Sequence, residues 1–132
     1  MANLKAYSQK NNRTESALIK LVPVKEVSDL NNCPVTTAIE IIGGKWKVII
    51  LYQLRGKTLR FGELKKIIPK ITQKMLSQQL RELEKNKLVV RKVYAEVPPK
   101  VEYTSTELAE KLNPALDMLC LWGGEYQKVH SE

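Results

Sequence analysis

Histidine is nearly missing from this chain of 132 residues; His130 is the only one. Chemistry that turns on a histidine base is therefore not expected. Cysteine is scarce as well. Cys33 and Cys120 lie far apart and form no CxxC pair, which argues against a structural zinc site and fits a reducing compartment. No run approaches the roughly eighteen apolar residues of a membrane span, and the opening MANLKAYSQKNNR has no apolar core of a secretion signal. Catalytic carboxylate pairs, metal-ligand clusters and glycine-rich phosphate loops are missing too. These absences point to a cytoplasmic protein that is not an enzyme, has no catalytic or metal-binding residues, and uses neither a cofactor nor a membrane.

Charge is what the chain has in excess. The formal net charge is +8, and it is concentrated. Residues 34–104 carry fifteen Lys/Arg against six Asp/Glu, whereas residues 105–132 carry two against five. A basic block followed by an acidic end points to a polyanion as partner of the middle of the chain. Apolar content of 43% is ordinary for a globular domain, and the length suits one domain. Residues 1–32 are rich in Asn, Ser, Gln and Lys, and are expected to form an arm, partly disordered or packed on a partner through the apolar patch Ala17–Val22. Residues 33–132 form the folded domain.

Pro34 suits a first helical position. The stripe Val35, Ala38, Ile39 and Ile42 follows, closed by Gly43-Gly44. A second helix, Lys45 to Leu54, is apolar on most sides and belongs in a core. Phe61 to Ile68 makes a short third helix, with Phe61, Leu64, Ile67 and Ile68 inward and Lys65 and Lys66 outward. Pro69 ends it. Three residues, Pro69 to Ile71, lead into Thr72 within the stretch ITQKMLSQQLRELEKNKL, residues 71–88. Thr72 is a good N-cap, and Ile71 and Leu76 occupy the positions of a hydrophobic staple. Leu76, Leu80 and Leu83 form an apolar stripe. Lys74, Ser77, Gln78, Arg81 and Lys85 point the other way, and no carboxylate joins them.

Val89–Tyr94 is β-branched and aromatic, and Val101–Thr104 alternates with period two. Pro98-Pro99 between them exclude strand and suit a hairpin loop. Two helices joined by a short turn and followed by a hairpin make a winged helix-turn-helix: mainly α, with one small β-hairpin. Thr106 caps a further helix, which Pro114 interrupts. The last helix carries Leu116, Leu119, Cys120, Trp122 and Tyr126. It exceeds what a small winged helix needs, so it and the first helix are read as extra dimerisation helices, with Leu116, Leu119, Trp122 and Tyr126 as the interface.

The chain resembles the HxlR-type regulators, a branch of the MarR-like winged-helix transcription factors. The likeness is carried by Cys33-Pro34-Val35, Gly43-Gly44-Lys45-Trp46, Arg60-Phe61-Gly62-Glu63-Leu64 and Leu80-Arg81-Glu82-Leu83-Glu84. Further pieces are Leu88-Val89 with Arg91, Tyr94 and Pro98-Pro99, then Val101-Glu102-Tyr103 and Thr106-Glu107-Leu108. The resemblance implies a homodimer on an inverted-repeat operator in double-stranded DNA, acting as a repressor. Gln73, Lys74, Ser77, Gln78 and Arg81 would then read base edges. Arg60, Lys65, Lys66, Arg91, Lys92 and Lys100 would meet phosphates along the wing and its surroundings. Some members sense thiol-reactive signals through a cysteine at the place of Cys33, where a helix start favours thiolate. Cys120 would be the resolving partner, and the signal an oxidant, an electrophile or another small molecule. The second reading is a winged-helix module for protein or RNA contact without operator specificity. Lys87 stands where the family has glycine, so Asn86 is expected to take the left-handed turn. Ser105 replaces an apolar residue and predicts a looser junction to the Thr106 helix.

Overall fold

The computed structural model describes residues 33–131. The arm 1–32, with its Ala17–Val22 patch, and Glu132 lie outside them. Among the described residues the elements are α1 (Pro34–Ile42), α2 (Trp46–Leu54), β1 (Thr58–Arg60), α3 (Phe61–Ile67), α4 (Gln73–Lys85), β2 (Val89–Tyr94), β3 (Lys100–Ser105), α5 (Glu107–Glu110) and α6 (Asn113–His130). They divide into two units: Ala38–Asn113, and the flanking residues up to Thr37 with those from Pro114 onward.

Residues 38–113 form the winged helix-turn-helix. Their core is built from the apolar positions that recur at helical spacing. Ile50, Leu51 and Leu54 of α2, Leu64 of α3, and Leu76, Leu80 and Leu83 of α4 are all buried. Each fully buried Leu or Ile contributes about 1.5–3 kcal/mol relative to exposure. The turn between α3 and α4 is held by apolar side chains, since Ile68 and Ile71 are buried. It is also held by the Ile71 N–H, which donates to the Ile68 carbonyl at 3.3 Å. Thr72 Oγ1 accepts from the Met75 N–H at 3.0 Å, so the expected N-cap of α4 is in place. Ile67 was expected inward but is exposed. The seven-residue α3 turns one narrow stripe to the core, and Ile68, outside the helix, takes the inward place.

The sheet has three strands in the order β1-β3-β2, all antiparallel. β2 pairs with β3 from Val89↔Ser105 to Tyr94↔Lys100. Partners across a ladder share a face. Val89, Arg91 and Val93 thus lie on one face with Ser105, Tyr103 and Val101. Buried Val89 and Tyr103 mark this as the core face. Val90, Lys92 and Tyr94 share the other face with Thr104, Glu102 and Lys100.

Lys87, not Asn86, takes the left-handed conformation that ends α4 (φ 61°, against −85° at Asn86). The Leu88 N–H donates to the Leu83 carbonyl at 2.9 Å and the Lys87 N–H to the Glu84 carbonyl at 3.0 Å. This is a Schellman ending, with Leu88 and Leu83 buried as its apolar pair. The motif fixes which residue carries positive φ. A left-handed lysine is strained by about 1 kcal/mol, and glycine loses part of that gain to unfolded-chain entropy. Lys87→Gly is expected to stabilise the domain by about 0.5–1 kcal/mol, read as a rise of a few degrees in melting temperature.

The junction at Ser105 is not loose. Thr106 Oγ1 donates to the Lys87 carbonyl at 2.7 Å, and the Thr106 N–H donates to the Leu88 carbonyl at 3.0 Å. Thr106 Oγ1 also accepts from the Ala109 N–H at 3.2 Å, capping α5. Leu108 is exposed because the four-residue α5 buries only Ala109. Leu108 lines an open apolar groove of about 240 Å³ with Ala38, Ile41, Ile42, Leu88, Lys111 and Leu112.

In the flanking unit α6 is the main element. The Thr106-capped helix is interrupted as expected: α5 stops at Glu110, and Pro114 sits in the first turn of α6. Leu116, assigned to the dimer face from sequence, is 2% exposed and already buried within the protomer. Leu119, Trp122, Tyr126 and Val129 are 52%, 61%, 52% and 74% exposed. Their spacing of three, four and three residues places them on one stripe of α6. Trp122 and Tyr126 stack at 5.6 Å between ring centroids, and Tyr126 and His130 at 4.0 Å. Among the described residues no helix is long and apolar enough to cross a membrane.

Candidate nucleic-acid interface

The helix α4 presents its polar face because its apolar stripe is committed to the core. Gln73, Lys74, Gln78 and Arg81 are exposed and Ser77 half-buried. Over its thirteen residues α4 is about 20 Å long, a length a major groove accommodates. Arg81 Nη2 donates to Ser77 Oγ at 3.2 Å, one turn back. Lys47 of α2 and Glu82 of α4 pair at 2.7 Å and tie the two helices together. The hydrogen bond from Lys47, with its charge, holds the Glu82 carboxyl below the ordinary glutamate range. A depressed carboxylate supports the fold above its unfolded-state value, and that support is lost as pH falls through the lowered folded value. The pair is therefore intact at neutral pH.

The expected phosphate-contacting residues divide into three groups. Lys65 and Lys66 lie in the last turn of α3. Lys66 is exposed, whereas Lys65 Nζ donates to the Pro69 carbonyl at 3.1 Å and so closes the end of α3. Arg60, Lys92 and Lys100 gather on the outer face of the sheet around Glu102. Arg60 and Lys92 both pair with Glu102 in the two ladders. Lys100 Nζ lies 3.1 Å from the Glu102 carboxylate, and Lys92 and Lys100 sit over the Tyr94 ring at 4.8 and 4.6 Å. The Lys100 hydrogen bond is the main cause of the lowered Glu102 carboxyl, and the Lys100 and Arg60 charges add to it. Arg91 stands apart, on the core-side face opposite Tyr103.

Sequence patterning reveals these contacts only where the partners are near neighbours along the chain. The Arg81–Ser77 spacing of four was a signal for the first. No local signal pairs Lys47 with Glu82, because they meet only when α2 packs on α4.

Cys33 is half-buried. Its carbonyl accepts from the Thr37 N–H at 3.1 Å, which places it at the cap of α1. Cys120 is exposed on α6, beside Leu119 of the apolar stripe.

A family model described as HxlR-like helix-turn-helix matches residues 41–131. The chain belongs to the HxlR-like helix-turn-helix family. It is 59% identical over 95 residues to YkvN of Bacillus subtilis strain 168, an uncharacterised helix-turn-helix-type transcriptional regulator, covering 72% of this chain and 80% of that one. The redox regulator HypR resembles it in both solved states. The reduced form is 45% identical, covers 74% of this chain and 96% of HypR, and superposes with a TM-score of 0.70. The oxidised form is 47% identical, covers 70% and 96%, and gives 0.67. The chain is a transcriptional regulator with a helix-turn-helix domain, as its HxlR-like relatives are, and the family implies DNA binding.

Proposed function

We propose that this HxlR-like protein is a sequence-specific repressor that binds an inverted-repeat operator as a homodimer. The observation that carries the reading is the first two to three turns of α4. They are exposed, cationic and rich in amides, with no carboxylate among residues 73, 74, 77, 78 and 81. Gln73, Lys74, Ser77, Gln78 and Arg81 face the major groove. Lysine suits guanine O6 and N7, and glutamine suits adenine. Lys66, Arg60, Lys92 and Lys100 meet phosphates and fix the register without reading sequence.

Gln78→Ala is expected to weaken operator binding by about 1–3 kcal/mol while leaving random duplex unaffected. Lys66→Ala is expected to weaken both alike and to lower the salt slope by about one per subunit. Gel-shift titrations with the two duplexes separate these outcomes. If neither change matters, α4 is not the reading element.

The dimer is formed by the α6 stripe of Leu119, Trp122, Tyr126 and Val129, not by Leu116. Regulation runs through Cys33, with Cys120 as the resolving thiol in the partner. The support is the half-buried cap position of Cys33, the exposure of Cys120 beside the stripe, and the likeness to a redox regulator solved in two oxidation states. An oxidant takes two electrons from the two thiols as a disulfide forms. Cys33→Ser is expected to abolish the response of the regulated promoter to diamide or hypochlorite. An unchanged response in vivo removes Cys33 from the mechanism.

A further inference from the structure

Ser77, Leu80, Arg81 and Glu84 of α4, Arg91 of β2 and Tyr103 of β3 line one cleft of about 420 Å³. Its floor is apolar, since Leu80 and Tyr103 are buried. Its walls carry two guanidinium groups from different elements. Arg91 reaches the cleft because the ladder sets it opposite Tyr103, on the core-side face of the sheet. Arg81 is held toward Ser77 by the 3.2 Å hydrogen bond. Among the described residues neither arginine is ion-paired, and Glu84 is the one carboxylate of the lining. Two guanidinium groups on one cleft repel each other unless an anion joins them.

We propose that Arg81 and Arg91 form a single anion site that takes one backbone phosphate of the duplex at the junction of α4 and the wing. The proposal rests on the reading that α4 enters the major groove, and it changes the part Arg81 plays there. Arg81 lies about 12 Å along the helix axis from Gln73. That is beyond the N-terminal residues that reach base edges in helix-turn-helix docking. Base reading then falls to Gln73, Lys74 and Gln78. The guanidinium forks match the two free oxygens of a phosphodiester. One phosphate held from both the helix and the hairpin would also fix the angle between the recognition helix and the wing on the duplex.

The test uses the full-length protein, a duplex carrying the inverted repeat enriched by in vitro selection, and a random duplex of equal length. Arg81→Ala and Arg91→Ala are each expected to lower affinity for both duplexes by about tenfold, leaving their ratio unchanged within about twofold. The double variant is expected to be no more than about twofold worse than the weaker single variant, because one phosphate is lost once. The salt slope should fall by about 0.9 per subunit in all three. Arg81→Lys and Arg91→Lys should retain that slope with reduced affinity. Both arginines are exposed, and unchanged melting temperatures show that the variants fold.

Loss of operator preference in Arg81→Ala overturns the proposal in favour of base reading. Losses that multiply in the double variant overturn it in favour of two separate phosphates. Displacement of duplex by inorganic phosphate but not by sulfate, at equal ionic strength, assigns the cleft to a small free anion instead. If selection enriches no sequence, the major-groove reading fails by itself, while the coupling and slope on random duplex still report on the arginine pair.

Discussion

Replacing Leu80 with alanine is expected to cost the domain about 2–5 kcal/mol and to lower its melting temperature by more than about 10 °C. Leu80 is 2% exposed, and it lies on the stripe with Leu76 and Leu83 that seats α4 in the core. Truncation removes transfer energy and leaves a cavity that the helix closes only in part. Val97→Ala in the wing loop is the control, because Val97 is wholly exposed and its loss should change stability by less than about 0.5 kcal/mol. Well below its melting point the Leu80→Ala protein should still bind operator, since Leu80 carries α4 and does not itself touch bases. A loss under about 1 kcal/mol in chemical denaturation would show that the stripe is not the support of α4.

The parts of the fold legible in the sequence were those with a local physical cause. A leucine stripe at helical spacing, a threonine before it and an isoleucine staple are enough to place α4, because each acts within two turns. The hairpin was legible from β-branched residues on either side of a diproline. The places where the sequence misled are those decided by tertiary packing. Ile67 and Leu108 are apolar at plausible inward positions, yet α3 and α5 are too short to bury more than one stripe. Leu116 and Leu119 are indistinguishable as residue types, and only the fold buries one and leaves the other bare. Lys87 is left-handed because the Schellman hydrogen bonds choose the position, and the preference of asparagine for that region is too weak to move it.

The polar face of α4 was readable for the same reason as α4 itself: what is not apolar on an amphipathic helix faces away from the core. The wing was not readable in this way. Arg91 and Lys92 are neighbours in sequence, but period two sends them to opposite faces of the sheet. Which face meets α4 depends on the register with β3. So Arg91 joins Arg81 at the cleft, while Lys92 joins Arg60 and Lys100 around Glu102.

Trp122→Asp is expected to convert the proposed homodimer to a monomer and to weaken binding to the proposed operator by about two to four orders of magnitude. Trp122 is the largest side chain of the α6 stripe, it stacks on Tyr126, and it is 61% exposed in the protomer. The protomer therefore has little reason to unfold when it changes. A tryptophan central to an interface is a common hot spot, and a carboxylate there would be desolvated without a partner. The large effect on DNA follows from linkage. A dimer binds its second half-site at a millimolar effective concentration, which a monomer does not enjoy. Random duplex, bound through phosphates, should lose far less. Sedimentation gives the mass directly, and melting temperature gives a second reading. It should rise with protein concentration in the wild type and be independent of concentration in the variant. Leu116→Ala should do the opposite, lowering protomer stability while leaving the surviving folded protein dimeric. A Trp122→Asp protein that remains a dimer would move the interface away from the α6 stripe, leaving exposed Val35 and Ile39 of α1 as the apolar face to test next.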